Sequence, residues 1–449
     1  MARTIAAIAT PLGQGGVGIV RLSGDKAYAI GCQLTKKRAL KTRYAHFARI
    51  FDGADEIIDE AVVLYFQAPH SFTGEDVVEI QGHGGMVLLN LILARCFELG
   101  AYQASAGEFS YRAFENDKLD LMQAEAISDA ISATSVAEAR SAVRSLSGEF
   151  SKKIHTLNHD ITNIRLYVEA AIDFSDEEDV DFLGDGVIVA RIESIIAQLE
   201  HSLSLATQGA LLKNGVQVVL AGRPNAGKSS LLNTLAGIER AIVTDVAGTT
   251  RDTLQETLVL KGLTVHLTDT AGLRETVDAV EQIGIDRAKD AIAQADVLVL
   301  VYDVSQEDDP VALCQALFGD LTNHTVLLVG NKVDLTQYKA GQINIAGMQG
   351  VYVSCETKAG IDTLIETLCE MVGFYPNDSA VIARTRHVDA LKRVLAQCYA
   401  AKEQLVVYQA GELAAESLRL AQKELGELTG EFRSDDLLGL IFSSFCIGK

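Results

Sequence analysis

Hydrophobic residues follow three successive patterns along the chain, and each pattern predicts a different kind of structure. Up to residue 118, short apolar runs such as 18–22, 61–66 and 76–80 alternate with glycine and turn residues, which predicts strands. Residues 86–99 have helical spacing and are followed by Gly100, which is typical of a helix C-terminus. The first segment is therefore predicted to be an α+β domain.

The second pattern covers residues 119–213, where apolar residues recur every three or four positions. Residues 121–131 and 154–171 have this period and predict long amphipathic helices. The acidic run at 176–179 separates two helical stretches, and we interpret it as a solvated connection.

The third pattern covers residues 214–373, where apolar strands alternate with helical stretches. The predicted strands are 216–221, 264–268, 297–302, 326–329 and 351–353. This alternation predicts a doubly wound, mainly parallel sheet. Helical spacing returns over 374–449. The simplest architecture is a split helical domain with an α/β domain inserted into it, since insertion is tolerated where the guest's termini lie close together.

Composition places the chain among soluble multidomain proteins. Its 449 residues suggest about three domains, and it is 48% hydrophobic and 22% charged. The 7 cysteines are scattered without CxxC pairs, which indicates reduced thiols in a cytosolic protein. The N-terminus lacks the pattern of a signal peptide, and no apolar run is long enough to span a bilayer. We therefore expect a cytoplasmic protein with no membrane partner.

The net charge of -21 disfavours general binding to nucleic acid, because such a body is repelled by phosphate backbones. A nucleic-acid partner would have to meet a local basic patch or a second protein. Lys36, Lys37, Arg38, Lys41 and Arg43 form one such patch. The sequence is compatible with contact to RNA phosphates there and with an ordinary solvated loop.

Residues 222–229 carry the strongest motif, G-x-x-x-x-G-K-S, between a predicted strand and a predicted helix at 230–235. In this context the backbone N–H groups and the helix N-terminus hold phosphates. Lys228 reaches the β and γ phosphates, and the Ser229 hydroxyl binds Mg²⁺.

Three further motifs indicate a GTPase. Asp269 begins a D-x-x-G motif at a strand end, suited to the Mg²⁺ water shell and the γ phosphate. Asp334 ends an N-K-V-D motif, and its carboxylate can accept two hydrogen bonds that guanine offers and adenine does not. Ser354-Cys355-Glu356 takes the position of the guanine-oxygen contact, although many such proteins have Ser-Ala-Lys there. Thr250 is the candidate Mg²⁺ ligand of a switch segment that orders with the γ phosphate.

Hydrolysis must be completed differently from that in Ras-type enzymes, because Leu273 occupies the position of their water-orienting glutamine. Asn225 in the phosphate loop has a side-chain oxygen that can hold a monovalent cation. A potassium ion bridging the phosphates can replace an arginine finger. Arg251, Arg274 and Glu281 are candidates for switch stabilisation or water orientation, and each is equally compatible with a solvated charge.

Longer segments resemble the MnmE (TrmE) family of bacterial tRNA-modifying GTPases over essentially the whole chain. Besides the nucleotide motifs at 222–233, 245–252, 269–275 and 331–334, the resemblance rests on FTGEDVVEIQGHGG (72–85), on 107–129 and on DDLLGLIFSSFCIGK (435–449). It implies an N-terminal folate-binding and dimerisation domain (1–118), helical parts at 119–213 and 374–449, and a G domain at 214–373.

The resemblance also implies a reaction and a partner. A homodimer of the chain would join the flavoprotein MnmG (GidA), which carries FAD and NADH, in a heterotetramer. Together they would add an aminomethyl or carboxymethylaminomethyl group to C5 of the wobble uridine (U34) of certain tRNAs. The one-carbon unit would come from 5-formyl- or methylene-tetrahydrofolate.

The resemblance further implies roles for individual residues. Potassium would be held by Asn225, Thr244, Val246 and Thr249, and Mg²⁺ by Ser229 and Thr250. Glu281 would position the attacking water, with Arg274 in the same switch region and Lys228 on the phosphates. Folate would be held by Arg21, Glu79, Lys118 and Lys449. The full set expected to bind GTP is Asn225, Ala226, Gly227, Lys228, Ser229, Ser230, Thr244, Asp245, Val246, Ala247, Gly248, Thr249, Thr250, Asp269, Thr270, Ala271, Gly272, Asn331, Lys332, Val333, Asp334, Ser354, Cys355 and Glu356.

Two questions stay open at the level of sequence. Cys446 is compatible with a reactive thiol and with a packed C-terminal tail. A ribosome-assembly GTPase and a signalling switch that awaits an activating protein would share the same G domain. The helical flanks and the acidic charge favour the tRNA-modifying enzyme, because a ribosome-assembly factor is expected to carry a basic RNA-binding domain.

Overall fold

A computed structural model describes residues 3–11, 13–173, 186–237, 255–269, 290–319, 321, 324–375, 381–431, 435–443 and 445–448. The chain forms two compact units. The first combines residues 1–128 with 425–449, and the second consists of residues 129–424. The acidic run at 176–179, which we interpreted as a solvated connection, lies outside the described residues.

The described residues form strands and helices that are numbered in chain order. The strands are β1 (Ile5–Ile8), β2 (Gly15–Ser23), β3 (His46–Phe51), β4 (Ile57–Phe66), β5 (Val77–Gly84), β6 (Tyr102–Gln103), β7 (Val216–Ala221), β8 (Gln255–Leu260), β9 (Leu263–Asp269), β10 (Val297–Asp303), β11 (Val326–Asn331), β12 (Gly341–Ile345) and β13 (Met348–Tyr352). The helices are α1 (Ala27–Thr35), α2 (Met86–Glu98), α3 (Glu108–Glu115), α4 (Leu121–Ser132), α5 (Val136–Leu146), α6 (Glu149–Asp173), α7 (Val187–Asn214), α8 (Lys228–Ala236), α9 (Pro310–Phe318), α10 (Ile361–Met371), α11 (Thr385–Val406), α12 (Gly411–Thr429) and α13 (Asp435–Ser443), with a 3-10 turn at Val333–Leu335.

The first unit is built on a six-stranded sheet in the order β3-β4-β5-β2-β1-β6. Each strand contributes side chains to both faces of this sheet, because successive side chains of a strand point to opposite faces. In β1, Ala6 joins the core formed with α1 and α2, whereas Ile5 and Ala7 pack with Phe109 of α3. The α+β architecture expected of the first segment is confirmed.

The first unit also contains the C-terminal helix. Phe114 of α3 and Leu121 of α4 form a buried cluster with Leu438, Ile441 and Phe442 of α13 and with Phe445. After α13, Ile447 pairs with Ala106 in an isolated antiparallel bridge. Residues 445–447 thus lie against the first domain, whose sheet carries the candidate folate residues Arg21 and Glu79.

The second unit contains a seven-stranded sheet in the order β12-β13-β11-β10-β7-β9-β8. Its central strands are parallel, while β8 and β12 pair antiparallel at the two edges. Every residue of β10 and β11 is buried, as expected of strands covered on both faces. The inserted, mainly parallel α/β domain is therefore confirmed.

The chain leaves the helical part for the inserted domain and returns to the helical part at a neighbouring point. Asn214, the last residue of α7, donates its side-chain amide to the Thr385 hydroxyl at the start of α11 over 3.2 Å. Gly209 of α7 lies so close to the segment that returns from the inserted domain that a Cβ there would overlap the Val381 carbonyl oxygen. The closely spaced ends explain how a helical domain accommodates this insertion.

Candidate functional site

The phosphate loop connects β7 to α8, and its conformation requires glycine at Gly227. The backbone φ of Gly227 is 96°, and a Cβ there would overlap the side chain of Asn331. Lys228, the first residue of α8, donates its ammonium to the carbonyl oxygens of Gly222 (2.9 Å) and Arg223 (3.2 Å). The positive side chain and the N-terminus of α8 are thus both held at the loop, which suits an anionic ligand.

Three of the other candidate residues, in the loop and at the start of α8, are accessible to a ligand. Asn225 is exposed and has a left-handed backbone, with φ of 65°. Ser229 and Ser230 are exposed in the first turn of α8, while Ala226 is buried beneath the loop. Asn225 and Ser229, the two described candidates for cation binding, are therefore accessible to a ligand.

Asn331 connects the phosphate loop to the guanine motifs. Its side-chain amide donates to the Ala226 carbonyl over 3.0 Å. Its side-chain oxygen accepts from the backbone N–H of Lys332 (2.8 Å) and of Cys355 (3.3 Å). One buried side chain therefore brings together three of the sequence motifs.

Lys332 is held by a partner that sequence reasoning missed. Its ammonium lies 2.7 Å from the Asp303 carboxylate at the end of β10. Burial alone would raise the pKa of Asp303, but hydrogen bonds from Lys332 and Ser305 outweigh it, and the net pKa lies below its usual value. An aspartate ending the strand beside β11 was the only signal in the sequence, and many exposed aspartates give the same signal.

The remaining base-recognition candidates follow the carboxyl ends of β11 and β13. Val333 is buried, and Asp334 is exposed in the 3-10 turn that follows β11. Ser354 is fully buried and accepts from the Thr357 N–H over 3.1 Å, so it shapes the loop rather than facing solvent. Burial raises the pKa of the Cys355 thiol, which keeps it protonated near neutral pH. Glu356 is exposed.

Asp269, the start of the D-x-x-G motif, lies beside the phosphate loop. It pairs in register with Leu220 of β7, two residues before Gly222. The remaining candidates of the switch segments lie outside the described residues: Thr244, Asp245, Val246, Ala247, Gly248, Thr249, Thr250, Arg251, Thr270, Ala271, Gly272, Leu273, Arg274 and Glu281.

The phosphate loop and Asp269 lie at the carboxyl ends of β7 and β9. At the other end of the sheet, where these two strands begin, the sheet contacts the helical part of the unit. The hairpin contact, as we name it, consists of Thr134 and Ser135 between α4 and α5 and of Gly262 and Thr264 in the β8–β9 hairpin. The Thr134 and Thr264 hydroxyls are 3.2 Å apart, and the Ser135 hydroxyl donates to the Gly262 carbonyl over 3.3 Å. No motif in the sequence indicated this contact.

A buried charged cluster lies at the same end of the sheet, close to the start of β7. Asp129, with a side chain 3% exposed, accepts from Lys213 at 3.1 Å and from Arg384 at 3.0 Å. Lys213 also lies 3.8 Å from Glu138, which is likewise buried. These residues join α4, α5, α7 and the start of α11, and Lys213 is three residues before β7.

The first unit brings together two of the candidate folate residues. Arg21 of β2 and Glu79 of β5 are paired in register and form an ion pair of 2.9 Å. The Arg21 guanidinium also lies 5.8 Å from the ring of Phe72 and 5.7 Å from that of Phe109. A half-buried pair of opposite charges between aromatic faces can recognise a flat polar heterocycle with carboxylates.

The other folate candidates are placed in part. Lys118 donates to the Pro69 carbonyl over 2.9 Å, in the loop that also carries Phe72. Lys449 lies outside the described residues, but the carbonyl of Gly448 accepts from Arg21 over 3.4 Å. Cys446 is exposed, and its carbonyl accepts from the Gly107 N–H over 3.4 Å.

A histidine–aspartate pair in this sheet was not anticipated from the sequence. The Asp59 carboxylate of β4 accepts a hydrogen bond of 2.7 Å from Nδ1 of His83 in β5, and it accepts another of 2.8 Å from the His83 backbone N–H. Burial of Asp59 works against ionisation, but the His83 contacts outweigh it and lower its pKa.

In the part of the chain that the structure describes, no three His, Cys, Asp or Glu residues are grouped as a metal site, and no helix is long and apolar enough to cross a membrane.

Comparisons with known proteins cover the whole chain. The family model of the MnmE helical domain matches residues 121–446, and that of the GTP-binding protein TrmE N-terminus matches residues 4–118. The tRNA modification GTPase MnmE of Psychrobacter sp. (strain PRwf-1) is 64% identical over 99% of both chains. MnmE of Acinetobacter baumannii (strain AYE) is 57% identical over 99% of this chain and 98% of its own. A structure of the G domain of the T. maritima FeoB iron transporter is 28% identical and covers 35% of this chain and 98% of its own, with a TM-score of 0.27.

Proposed function

The chain belongs to the MnmE family of tRNA modification GTPases, and from this premise we propose how it acts. It hydrolyses GTP with the help of a potassium ion and works with a flavoprotein of the MnmG (GidA) type. Together they add an aminomethyl or carboxymethylaminomethyl group to C5 of the wobble uridine of certain tRNAs. Family membership favours this function over ribosome assembly.

The observation that carries the GTPase part is the position of Asn331. It bonds the phosphate loop and two guanine motifs through one side chain. Lys228, held at the loop by two carbonyls, can exchange these weak acceptors for phosphate oxygens, which are stronger because they are charged. Asp334 is exposed beside the same strand end and supplies the guanine contact.

We assign the cations to the loop residues that fit them. Asn225, an exposed residue whose amide oxygen can hold a cation, would bind potassium with Thr244, Val246 and Thr249, and the hydroxyls of Ser229 and Thr250 would bind Mg²⁺. Potassium would supply positive charge where the phosphates develop negative charge. Glu281 and Arg274 remain our candidates for orienting the attacking water.

We assign a tetrahydrofolate, in 5-formyl or methylene form, to the Arg21–Glu79 pair with Lys118 and Lys449. The folate would supply the one-carbon unit. Glu79 offers acceptors for the N–H groups of a pterin, while Arg21 and the lysines offer donors for its carboxylates. FAD and NADH would be held by the partner, in a heterotetramer with a homodimer of this chain. The proposed domains are 1–118, 119–213, 214–373 and 374–449.

Reconstitution tests the function as a whole. The full chain, the flavoprotein, tRNA, GTP, folate, FAD and NADH are combined, and nucleosides of the digested tRNA are analysed for modified uridine. Lys228→Ala should abolish the product, whereas Lys339→Ala, an exposed lysine of the same domain, should leave it intact. Unmodified uridine in the complete wild-type mixture would contradict the proposed reaction.

Two narrower experiments separate the parts of the proposal. GTP turnover in KCl and in NaCl should differ for the wild type and become equal in Asn225→Ala, and a retained difference would place potassium elsewhere. Calorimetric titration with 5-formyltetrahydrofolate should show saturable binding that Arg21→Ala or deletion of Lys449 abolishes. Arg95→Ala, which breaks the pair with Glu98 in α2, serves as the control. A folded protein that binds no folate would contradict the assignment of the first domain.

A further inference from the structure

A strongly basic segment stands out on the first unit of this acidic chain. Residues 36–51 contain six Lys and Arg residues and no Asp or Glu, in a chain of net charge -21. Two of the six are neutralised, since Lys36 lies 2.6 Å from Asp55 and Arg49 lies 3.0 Å from Glu60. Lys37, Arg38, Lys41 and Arg43 have no ion pair with any residue the structure describes. Four positive charges therefore remain available to a partner.

Exposed aromatic rings lie among these charges. Tyr44 is 53% exposed and Phe47 is 66% exposed. The Lys41 ammonium lies 5.6 Å from the Tyr44 ring, and the rings of Tyr44 and His46 meet edge to face at 4.9 Å. Unpaired cations with exposed rings are the combination that binds single-stranded nucleic acid, because cations hold phosphates and rings stack on bases.

The chemistry distinguishes a single strand from a duplex. In duplex RNA the bases are already stacked, and a protein meets mainly phosphates and 2′-hydroxyls. Tyr44 and Phe47 would then be exposed without use. A loop with unstacked bases engages both the rings and the charges, so it fits this surface better than a duplex does.

The surface adjoins the candidate folate site through one short loop. Arg43 donates to the His70 carbonyl over 3.0 Å, and Lys118 donates to the neighbouring Pro69 carbonyl over 2.9 Å. Phe72 of the same loop lies against Arg21. His70 and Phe72 are two residues apart, which is about 7 Å at full extension. A base bound beside Arg43 would therefore lie close to the proposed one-carbon carrier.

We propose that Lys37, Arg38, Lys41, Arg43, Tyr44 and Phe47, the basic–aromatic surface, bind the single-stranded loop of the tRNA substrate. The proposal rests on the tRNA-modifying function proposed above and gives the RNA a place on this chain. The cations hold loop phosphates, and Tyr44 and Phe47 stack on unpaired bases. The net charge of the rest of the chain disfavours RNA elsewhere and so directs it to this surface.

Fluorescence anisotropy with the full-length protein tests the proposal. The probes are a labelled RNA hairpin with a seven-nucleotide loop of anticodon sequence and a blunt duplex of the same stem. Tyr44→Ala and Phe47→Ala should each weaken hairpin binding about tenfold and leave the weak duplex binding unchanged. The exposed Tyr102 in Tyr102→Ala is the matched aromatic control and should have no effect.

The charges are tested by salt dependence. The double variant Lys37→Ala/Arg38→Ala should weaken hairpin binding and lower the slope of log K against log salt concentration by about 1.4, from about 0.7 per phosphate contact on single strands. Lys36→Ala is the matched control, because Lys36 is already paired with Asp55 and should leave the slope unchanged.

The outcomes separate this proposal from the proposed function. Equal hairpin affinity of the wild type and the three surface variants (Tyr44→Ala, Phe47→Ala and Lys37→Ala/Arg38→Ala) would overturn the surface, even if the wild type modifies uridine. Variants that bind RNA normally but no longer bind the flavoprotein would assign the surface to a protein and also overturn it. Conversely, loss of hairpin binding in the surface variants supports the surface even if no modified uridine is formed. GTP turnover and the far-UV circular dichroism spectrum of every variant should match the wild type, which shows that both units are folded.

Discussion

The side-chain amide of Asn331 donates a hydrogen bond of 3.0 Å to the main-chain carbonyl of Ala226, 105 positions earlier in the chain. The same side chain accepts hydrogen bonds from Lys332 and Cys355, and only 2% of it is exposed. The loop that holds phosphates and the loops that recognise the base therefore share one buried amide. Their mutual position depends on it.

Replacing Asn331 by alanine should impair both stability and nucleotide binding. The change leaves the Ala226 carbonyl and two N–H groups without their partner, which we expect to cost about 2–3 kcal/mol of unfolding free energy and to weaken GTP binding about tenfold. Urea unfolding and titration with a fluorescent GTP analogue measure the two effects. Asn344→Ala, which removes only an exposed turn contact to Gly347, is the control. Unchanged GTP affinity in a destabilised Asn331 variant would limit Asn331 to packing.

Replacing Asp334 by asparagine should change which base is bound. The carboxylate of Asp334 can accept from two N–H groups of guanine, whereas an amide pairs with the carbonyl that xanthine has in place of the amino group. Competition between GTP and xanthosine triphosphate should thus shift toward xanthosine triphosphate. Asp389→Asn, an exposed aspartate of α11, should retain the preference for GTP. If Asp334→Asn keeps that preference too, another residue reads the base.

The Asp303–Lys332 pair should contribute to stability in a pH-dependent way. The folded state lowers the pKa of Asp303, so the pair stabilises the protein above the ordinary aspartate pKa of about 3.9. The contribution is lost as the pH falls through the lower pKa of the folded state. Asp303→Asn should cost about 1–2 kcal/mol at pH 7 and progressively less below pH 4.

Unfolding in urea from pH 7 to pH 3 measures this difference. Asp308→Asn changes an exposed aspartate in the same loop and should match the wild type across the range. A gap between wild type and Asp303→Asn that stays constant down to pH 3 would show that the charge of Asp303 is not what stabilises the fold.

Gly209 should not tolerate even a methyl group. A Cβ there would overlap the Val381 carbonyl and lie 2.9 Å from the Ala383 nitrogen. Gly209→Ala should therefore cost about 1–3 kcal/mol, although the same change in an open helix stabilises by about 1 kcal/mol. Gly439→Ala in α13 is the control, because a Cβ there has no neighbouring atom within 4 Å among the residues that the structure describes. Thermal unfolding compares them, and an unchanged midpoint for Gly209→Ala would mean that α7 and residues 381–383 separate easily.

Much of the fold follows from local patterns in the sequence. The buried strands β7, β10 and β11 were predictable because unbroken apolar runs mark strands covered on both faces. The edge strands β8 and β12 were not predicted. In β12, Gln342 and Asn344 alternate with apolar residues and none of its residues is fully buried, so the signal is weak.

The candidate sites, too, were predictable from the sequence only in part. Lys228 and Asn331 belong to contiguous motifs, and the structure places them together. Arg21 and Glu79 are 58 positions apart, and their ion pair depends on the register of β2 against β5, which no local pattern reveals. Asp303 likewise becomes a partner of Lys332 only once β10 and β11 are paired. The sequence thus identifies residues with suitable chemistry, while their pairing depends on long-range packing.

The hairpin contact and Lys213 hold the amino ends of β9 and β7, whose carboxyl ends carry Asp269 and the phosphate loop. Nucleotide binding and the arrangement of the helices are therefore thermodynamically linked wherever the two strands shift together. Such linkage is reciprocal: a ligand that alters the helices and thereby changes GTP affinity by some factor has its own affinity changed by GTP through the same factor. The effect of GTP binding at the carboxyl ends of the strands is then measurable at their amino ends, as a change in affinity for a ligand that binds the helices.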